Sequence, residues 1–208
     1  MLNRYDLPEI VAGVLRERIV VGDSCKCPFH HTEKIHILDA GAGDGLSGAA
    51  LRAEAGLDKA TTYIAGSDIS GEMLKIAKER KCYDEIKVVD LNKKPLPYSN
   101  NEFDIVTCTG TMTYVDPKSG VLEEFARITK VGGFVCYTNR TDKLEGWNEA
   151  EREAIKKGFW LLEYESEPIP YLPLNKEYGE DIKVVIKLWK VLSTKDEECP
   201  RRISNVIK

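Results

Sequence analysis

The chain of 208 residues has 42% hydrophobic and 31% charged residues, a composition typical of a globular protein long enough to bury a substantial core. Its formal net charge of −4 argues against a broad binding surface for nucleic acids or anionic membranes. No apolar run approaches the roughly 20 residues of a membrane-spanning helix, and the N-terminus lacks a secretory-signal pattern, so we expect a cytoplasmic protein whose six cysteines are reduced.

The first element in chain order is a predicted helix. Apolar residues recur at helical spacing from Pro8 to Val20, and Asp6 with Glu9 three residues later resembles a helix start. A turn-rich connection follows, and it contains Cys25, Cys27, His30 and His31. Structural zinc sites use a wider cysteine spacing and a second matched pair. We therefore expect a solvated turn and no metal.

Short apolar strands alternate with amphipathic helical segments after Lys34. The strands are predicted over 34–39, 61–67, 85–89, 103–108 and 134–138. The apolar faces of the helices between them are Leu46, Ala49, Ala50 and Ala53, then Met73, Ile76 and Ala77 after a Ser70 cap, then Leu122, Phe125, Ala126 and Thr129. This alternation predicts an α/β fold, with a parallel sheet covered by helices on both faces.

The C-terminal third follows a looser pattern. We predict a helix over 145–157 and strands over 160–165 and 182–191, the second of which is strongly β-prone. No repeat or convincing linker interrupts the chain, so a single domain is predicted over 1–192. Residues 193–208 are predicted to form a charged, mobile tail.

Acidic residues end three consecutive predicted strands: Asp39, Asp68 and Asp90. The first is followed at once by the loop 40–45, whose glycines let the backbone turn tightly and approach a ligand. Ligands of open α/β sheets bind beyond the carboxyl ends of the strands. We therefore expect the three carboxylates to share one ligand site at this edge of the sheet.

The segment 43–48 also has the pattern G-x-G-x-x-G, which is typical of a dinucleotide-binding turn. That turn places a pyrophosphate at a helix N-terminus. Asp39 and Asp44 would put carboxylates beside the pyrophosphate, and two like charges ~4 Å apart repel by ~4 kcal/mol at an effective dielectric constant of ~20. No G-K-[ST] sequence is present, so a P-loop is excluded.

S-adenosylmethionine suits the acids better, because it has no phosphate and carries an ammonium group, a sulfonium and a ribose diol. We expect Asp39 to support the methionine end, directly or through neighbouring backbone and water. We expect Asp68 to accept from both ribose hydroxyls and Asp90 from the adenine amine. Ile69 or Leu91 would lie against the adenine ring, and the three loop glycines would let the chain pass under the cofactor. The full predicted cofactor-binding set is Asp39, Ala40, Gly41, Ala42, Gly43, Gly45, Asp68, Ile69, Met73, Asp90, Leu91, Thr109 and Gly110.

These segments together resemble the class I S-adenosylmethionine-dependent methyltransferases. The likeness runs from Ile35 to Thr141 and rests on Asp39-Ala40-Gly41-Ala42-Gly43-Asp44-Gly45, Gly66-Ser67-Asp68-Ile69-Ser70, Val89-Asp90-Leu91 with Leu96-Pro97-Tyr98, Phe103-Asp104-Ile105-Val106 and Lys130-Val131-Gly132-Gly133. Within that superfamily, 132–141 continuing to 158–160 is similar to the Williams–Beuren-region methyltransferase-like proteins. The first acid is Asp rather than the commoner Glu, which the family tolerates.

The resemblance implies a Rossmann-like doubly wound sheet of about seven strands, mostly parallel, whose antiparallel last strand lies within 182–191. It also implies a division of the domain. Residues 1–33 form an N-terminal helical lid and connection, 34–141 the cofactor-binding core and 142–192 the substrate-side part. Tyr5 and the first helix are expected to fold over the cofactor.

The segment Thr109–Tyr114 is expected to line the methyl-transfer site. Methyl transfer is an in-line displacement whose acceleration comes largely from holding the reactants in contact, so no acid–base pair is required, and the sequence indicates no catalytic residue. The Asn/Asp-Pro-Pro-Tyr signature of amino-nitrogen methylases is absent. The acceptor-side candidates are Tyr5, Tyr114, Asn139 and Arg140. Arg140 suits a substrate carboxylate, although a solvated Arg140 and simple packing of Tyr114 stay open.

The sequence therefore predicts a methyltransferase that uses S-adenosylmethionine, releases S-adenosylhomocysteine and acts on a small molecule or, as the next choice, a protein side chain. Two alternatives stay open. The G-x-G-x-x-G pattern allows a nicotinamide-dependent oxidoreductase, and the lack of an identifiable acid–base group allows a non-catalytic cofactor-binding module. Nucleic acid and membrane partners are not expected, and nothing indicates the oligomeric state.

Overall fold

The computed structural model describes residues 5–20, 34–172 and 182–192. The helices are α1 (Leu7–Leu15), α2 (Leu46–Ala53), α3 (Gly71–Glu79), α4 (Val121–Ile128) and α5 (Leu144–Lys156). The strands are β1 (Ile35–Ala40), β2 (Thr62–Asp68), β3 (Glu85–Val88), β4 (Phe103–Cys108), β5 (Thr129–Arg140), β6 (Trp160–Glu165), β7 (Ile169–Pro170) and β8 (Lys183–Val191). The predicted tail and the Cys25 to His31 cluster lie outside the described residues.

All the strands of the described residues belong to one sheet, in the order β3-β2-β1-β4-β5-β8-β6, with the short β7 paired to β8. Strands β1 to β5 are parallel, whereas β8 runs antiparallel between β5 and β6. The predicted doubly wound sheet with an antiparallel last strand is confirmed, and β7 brings the strand number to eight. The order reverses between β1 and β4, where an open α/β sheet leaves a crevice for ligands.

Helices cover both faces of the sheet, as the alternation of strands and helices predicts. The first three helices pack on one face, against a core that includes Leu15, Ile37, Ile64 and Ile105. Helices α4 and α5 pack on the other face, against a core that includes Leu38, Val106, Phe125 and Trp147. Because both faces are covered, all six residues of β4 are buried.

The inner face of α3 differs from the prediction. Leu74 and Ala77 are buried, whereas Met73 is 39% exposed and Ile76 is 46% exposed. Ser70 caps the helix as predicted, accepting from the Met73 N–H at 3.2 Å. The packing of α3 turns the i, i+3 pair Leu74 and Ala77 toward the sheet, and Met73 lies near Gly43.

Three other boundaries also need correction. Asp6 precedes α1 but its side chain makes no capping hydrogen bond, and α1 ends at Leu15, where a π-helical turn over Arg16–Val20 replaces the predicted longer helix. Thr129 begins β5 instead of ending α4. Gly133 lies inside β5 instead of in a turn before it, and glycine is needed there because a Cβ would meet the Asp104 carbonyl oxygen at 2.6 Å.

A buried ionic cluster attaches α5 to the antiparallel end of the sheet. The Tyr137 hydroxyl donates to Glu151 Oε1 at 2.8 Å, and Lys187 Nζ donates to Glu151 Oε2 at 2.6 Å. These contacts join β5, α5 and β8 in a setting where an unpaired charge would be costly. In the part of the chain that the structure describes, no helix is long and apolar enough to cross a membrane.

Candidate cofactor site

The loop after β1 presents main-chain atoms at the carboxyl edge of the sheet. Gly41, Gly43 and Gly45 have φ values of 80°, 53° and 91°, in the left-handed region that favours glycine. Ala40 and Ala42 are buried in the two opposite cores. Their side chains anchor the loop from both faces, so the exposed surface of the loop is largely peptide backbone.

The three loop glycines are required for different reasons. A Cβ on Gly41 would lie 2.5 Å from Thr111 Cβ, and one on Gly45 would lie 3.0 Å from Ala77 Cα in α3. A Cβ on Gly43 would meet only Met73 Cε, at 3.9 Å. The expectation that all three glycines make room for a cofactor therefore needs correction: packing inside the protein explains Gly41 and Gly45, and only Gly43 faces open space.

Asp68 ties the end of β2 to the glycine loop. Its Oδ2 accepts from the Gly43 N–H at 2.9 Å, and its Oδ1 accepts from the Ser70 N–H at 2.8 Å. Each carboxylate oxygen has a further lone pair. The side chain can therefore still accept from a diol, as predicted, while it holds Gly43 in place.

Asp68 and Asp90 line the same cleft at the carboxyl edge of the sheet. Asp90 Oδ1 accepts from the Asn92 N–H at 3.0 Å, and Lys93 Nζ lies 3.7 Å from Asp90 Oδ2. Ile69, 66% exposed, contributes apolar surface. Of the predicted residues, the cleft brings together Gly41, Asp68, Ile69, Asp90, Leu91 and Tyr114.

Asp39 does not share this cleft. Its side chain is completely buried, on the face of β1 that meets α1 to α3. Its Oδ2 accepts from the Tyr83 hydroxyl at 2.6 Å and its Oδ1 from the Thr107 hydroxyl at 3.3 Å. Burial raises the pKa of Asp39 to about 6, although the two hydrogen bonds act in the opposite direction. The prediction of three acids in one open site is therefore wrong for Asp39, because Asp39 pairs with Gly66, two residues before Asp68, and so lies deeper in the sheet.

Tyr83 is a residue of this site that the sequence did not indicate. Besides contacting Asp39, its hydroxyl accepts from the Gly48 N–H at 3.1 Å. Cβ atoms on Gly48 and Gly66 would lie 2.5 Å and 3.0 Å from ring carbon Cε1 of Tyr83. Gly48 lies inside α2, where no turn requires a glycine. This was the one sequence signal that could have indicated a bulky neighbour such as Tyr83.

Asp44 is paired within the protein. Arg80 Nη2 lies 2.6 Å from Asp44 Oδ2, and Arg80 Nε donates to the Asp44 carbonyl oxygen at 2.7 Å. The expected repulsion of a pyrophosphate by Asp44 is therefore reduced, because Arg80 offsets its charge. The case against a dinucleotide then depends more on Asp68 and Asp90 than the sequence suggested.

The loop after β4 closes the site from the side of β5. The Gly110 N–H donates to Thr138 Oγ1 at 2.8 Å, and Gly110 has a φ of 75°. The Tyr5 hydroxyl lies against Gly110 in the space that a Cβ would occupy. Thr109 is buried beside it. Tyr5 packs edge-on against Tyr171, with ring centroids 5.7 Å apart, so the N-terminal segment reaches this edge of the sheet.

The remaining acceptor-side candidates have contrasting surroundings. Tyr114 is 76% exposed. Asn139 is buried, and its amide oxygen and nitrogen have no hydrogen-bond partner within the described ranges. Arg140 binds Asp142 through Nε at 3.0 Å and Nη2 at 2.7 Å. The bidentate pair expected with a substrate carboxylate is therefore made with Asp142 instead.

Comparison with known proteins shows that about half of the chain is similar to methyltransferases. Residues 38–137 match the model of a family described as a methyltransferase domain. A demethylmenaquinone methyltransferase of Clavibacter sepedonicus is 34% identical over 99 residues, which are 47% of this chain and 38% of that protein. Methyltransferase-like protein 27 of Homo sapiens is 34% identical over 106 residues, 51% of this chain and 41% of that protein. The chain thus spans less than half the length of either relative.

Solved structures share the fold. A chain in the complex between the Trm112 methyltransferase activator of Haloferax volcanii and a methyltransferase has a TM-score of 0.62 and 19% identity, with 92% of both chains covered. The [4+2]-cyclase SpnF has a TM-score of 0.63 and 17% identity, with 88% of this chain and 81% of that chain covered. The match to a methyltransferase domain over residues 38–137 supports the predicted enzyme class, and the solved structures show that the fold is shared.

Proposed function

We propose that this protein transfers a methyl group from S-adenosylmethionine to a small aromatic acceptor. The observation that carries the proposal is the cleft in which Asp68 and Asp90 lie beside a loop of exposed backbone, within a matched methyltransferase domain. A carboxylate-lined cleft suits the diol and amine of a nucleoside without phosphates.

Each part of the cleft has a proposed role in holding the cofactor. Asp68 accepts from the ribose hydroxyls and Asp90 from the adenine amine, with Ile69 and Leu91 against the ring. Gly41 lines the cleft, and Gly43, which is bonded to Asp68 and has Met73 near it, would extend the floor under the ligand. The residues Ala40, Ala42 and Gly45 keep the loop in shape, and Asp39 acts on the methionine end from beneath it. Thr109 and Gly110 bound the end at which the reactive methyl group would lie.

The acceptor side is rich in aromatic and amide groups. Tyr5, Tyr114 and Tyr171 offer rings, and burial raises the pKa of Tyr5, so this phenol stays neutral. The unpartnered amide of Asn139 provides a donor and an acceptor, since a buried amide without partners costs free energy that a ligand can recover. Arg140 is held by Asp142 near the same edge. These groups favour a small planar molecule over a protein side chain as the methyl acceptor.

The relatives support the same class of acceptor. One relative is named for demethylmenaquinone, a quinone-type molecule, and we extend this class to the present chain as part of the proposal. The match to methyltransferase-like protein 27 supports membership of the Williams–Beuren-region methyltransferase-like group. The reaction requires this chain to hold acceptor and methyl in line and to exclude water, which is chemistry of positioning.

Calorimetry of the purified protein tests the proposal. We expect S-adenosylmethionine and S-adenosylhomocysteine to bind and NAD(H) not to bind. Binding of NAD(H) without heat from S-adenosylhomocysteine would instead indicate the oxidoreductase. Transfer of a labelled methyl group to small-molecule and protein fractions then separates the two acceptor classes.

A second candidate is a cofactor-binding module without methyl transfer. It is favoured by one observation, that a protein of the same fold is a [4+2]-cyclase. Binding of S-adenosylmethionine without methyl transfer to any physiological acceptor would support this candidate, and turnover would exclude it.

A further inference from the structure

Tyr83 occupies a fixed position beneath the cofactor loop. Gly48 in α2 and Gly66 in β2 both leave room for its ring, and its side chain is buried. Residues from two separate elements are therefore glycine where this one ring needs space. Such confinement leaves the hydroxyl little freedom to move, so its hydrogen bonds are set by the fold.

The direction of the hydrogen bonds at Tyr83 follows from simple counting. A phenol has one proton to donate. The Gly48 N–H can only donate, so the Tyr83 oxygen accepts from it and the hydroxyl proton is directed at Asp39 Oδ2. Thr107 provides a second hydroxyl, 3.3 Å from Asp39 Oδ1 and 3.4 Å from the Leu38 carbonyl oxygen. Of the two hydroxyls, that of Tyr83 makes the shorter contact, and donation of this kind favours the ionised carboxylate.

Asp39 has no cation beside it in the described part of the chain. The groups that act on it are Tyr83, Thr107 and the Asp68 carboxylate. The thiols of Cys82 and Cys108 and the phenol of Tyr5 also lie within electrostatic range. Burial raises the pKa of each of these three groups, so they are neutral from pH 5 to 8. A buried carboxylate without a counter-charge, directly below a ligand loop, is suited to attract a positive group of the ligand.

We propose that Tyr83 is a positioning residue for the cofactor, whose hydroxyl keeps the Asp39 carboxylate ionised and oriented beneath the loop, so that its negative charge acts on the ammonium group of the ligand. The inference rests on the proposed function, because it assigns the methionine end of S-adenosylmethionine to this loop. It adds a residue that no sequence motif includes.

A specific pH dependence follows from the proposal. A cationic ligand stabilises ionised Asp39, so binding lowers the pKa of Asp39 and releases a proton. The affinity therefore rises as the pH increases through about 6, the value to which burial raises the pKa of the free protein. Removing the Tyr83 hydroxyl takes away a bond to the ionised form, so the same rise occurs at higher pH.

The test is the affinity of Tyr83→Phe for S-adenosylhomocysteine, measured by calorimetry between pH 5 and 8. We expect binding about tenfold weaker at pH 7, the usual effect of losing one hydrogen bond to a charged group, and an upward shift in the pH midpoint. Tyr63→Phe is the matched control, since the Tyr63 hydroxyl also donates to a carboxylate, Glu85, at 2.5 Å, but at the surface and without contact to Asp39. This control should reproduce the wild-type curve.

A second variant separates positioning from general destabilisation. Asp39→Asn should remove the pH-dependent rise, and in that background Tyr83→Phe should change the affinity less than twofold, because the two residues act as a unit. A Tyr83→Phe curve with the wild-type midpoint, even if uniformly weaker, would overturn the inference. Failure of the wild-type protein to bind S-adenosylhomocysteine would instead remove the proposed function itself.

Discussion

The ring of Tyr83 fills the space that a side chain on Gly48 would need, with Cε1 2.5 Å from the position of that Cβ. Gly48 is the third glycine of the G-x-G-x-x-G pattern. Packing against Ala77 and Tyr83 therefore explains Gly45 and Gly48, so two of the three glycines in the pattern do not require a pyrophosphate.

Replacing Gly48 by alanine should destabilise the protein. Alanine normally stabilises a helix interior by about 1 kcal/mol relative to glycine, but overpacking against Tyr83 costs about 1–3 kcal/mol. Urea unfolding of Gly48→Ala measures the sum. Gly13→Ala in α1 is the matched control, because nothing lies within 4 Å of the position that a Cβ would take there. This control variant should be slightly more stable than wild type. A Gly48→Ala protein more stable than wild type would contradict the packing described here.

Gly43→Val should abolish cofactor binding while the protein stays folded. The Cβ at this position points into open space near Met73, which is where we place the ligand. Gly56→Val is the control, since Gly56 also has a positive φ and an open Cβ, so backbone strain of about 1–3 kcal/mol is common to both. Calorimetry with S-adenosylhomocysteine should show binding only by the Gly56 variant. Equal binding by both variants would show that the loop is misplaced.

Asp68→Ala should weaken binding of S-adenosylhomocysteine by about 1–3 kcal/mol, the usual cost of leaving polar partners unsatisfied. The variant also frees the N–H groups of Gly43 and Ser70. Asp58→Ala serves as the control, because the Asp58 carboxylate likewise accepts from two backbone N–H groups, in a surface turn before β2. Unchanged affinity in Asp68→Ala would remove Asp68 from the site.

Asp39→Asn should gain stability relative to wild type as the pH rises. The folded-state pKa of Asp39 is about 6 against an ordinary value of 3.8, so the wild-type protein loses stability between about pH 4 and pH 6. The neutral variant does not, and the difference in unfolding free energy should grow on the order of 3 kcal/mol over that range. Urea unfolding at pH 4, 5, 6 and 7 measures it, and a pH-independent difference would contradict the burial of an ionisable Asp39.

The elements that position the site were predictable because their signals are local. Each of these signals involves only a few adjacent residues. They are the glycine loop, the acids at the ends of β1 and β2 and the cap at Ser70. The alternation of strands and helices was enough to predict a parallel sheet, and the resemblance to a known superfamily implied the antiparallel last strand, β8.

The contacts that modify those residues join distant parts of the chain. Tyr83 and Asp39 are 44 positions apart, and Arg80 and Asp44 are 36 positions apart. Neither pair leaves a periodic pattern in the sequence. The exposure of Met73 and Ile76 likewise depends on how α3 is rotated against the sheet, a property of packing that a list of apolar residues does not contain.

The burial of Ala40 and Ala42 on opposite sides of the loop has a consequence for how selectivity arises. A molecule resting on this loop meets amides and carbonyls, which every protein possesses. Recognition of one metabolite over another must then come from groups at the rim, contributed by the ends of neighbouring strands. Evolution can change the ligand by altering those ends while the floor beneath stays the same.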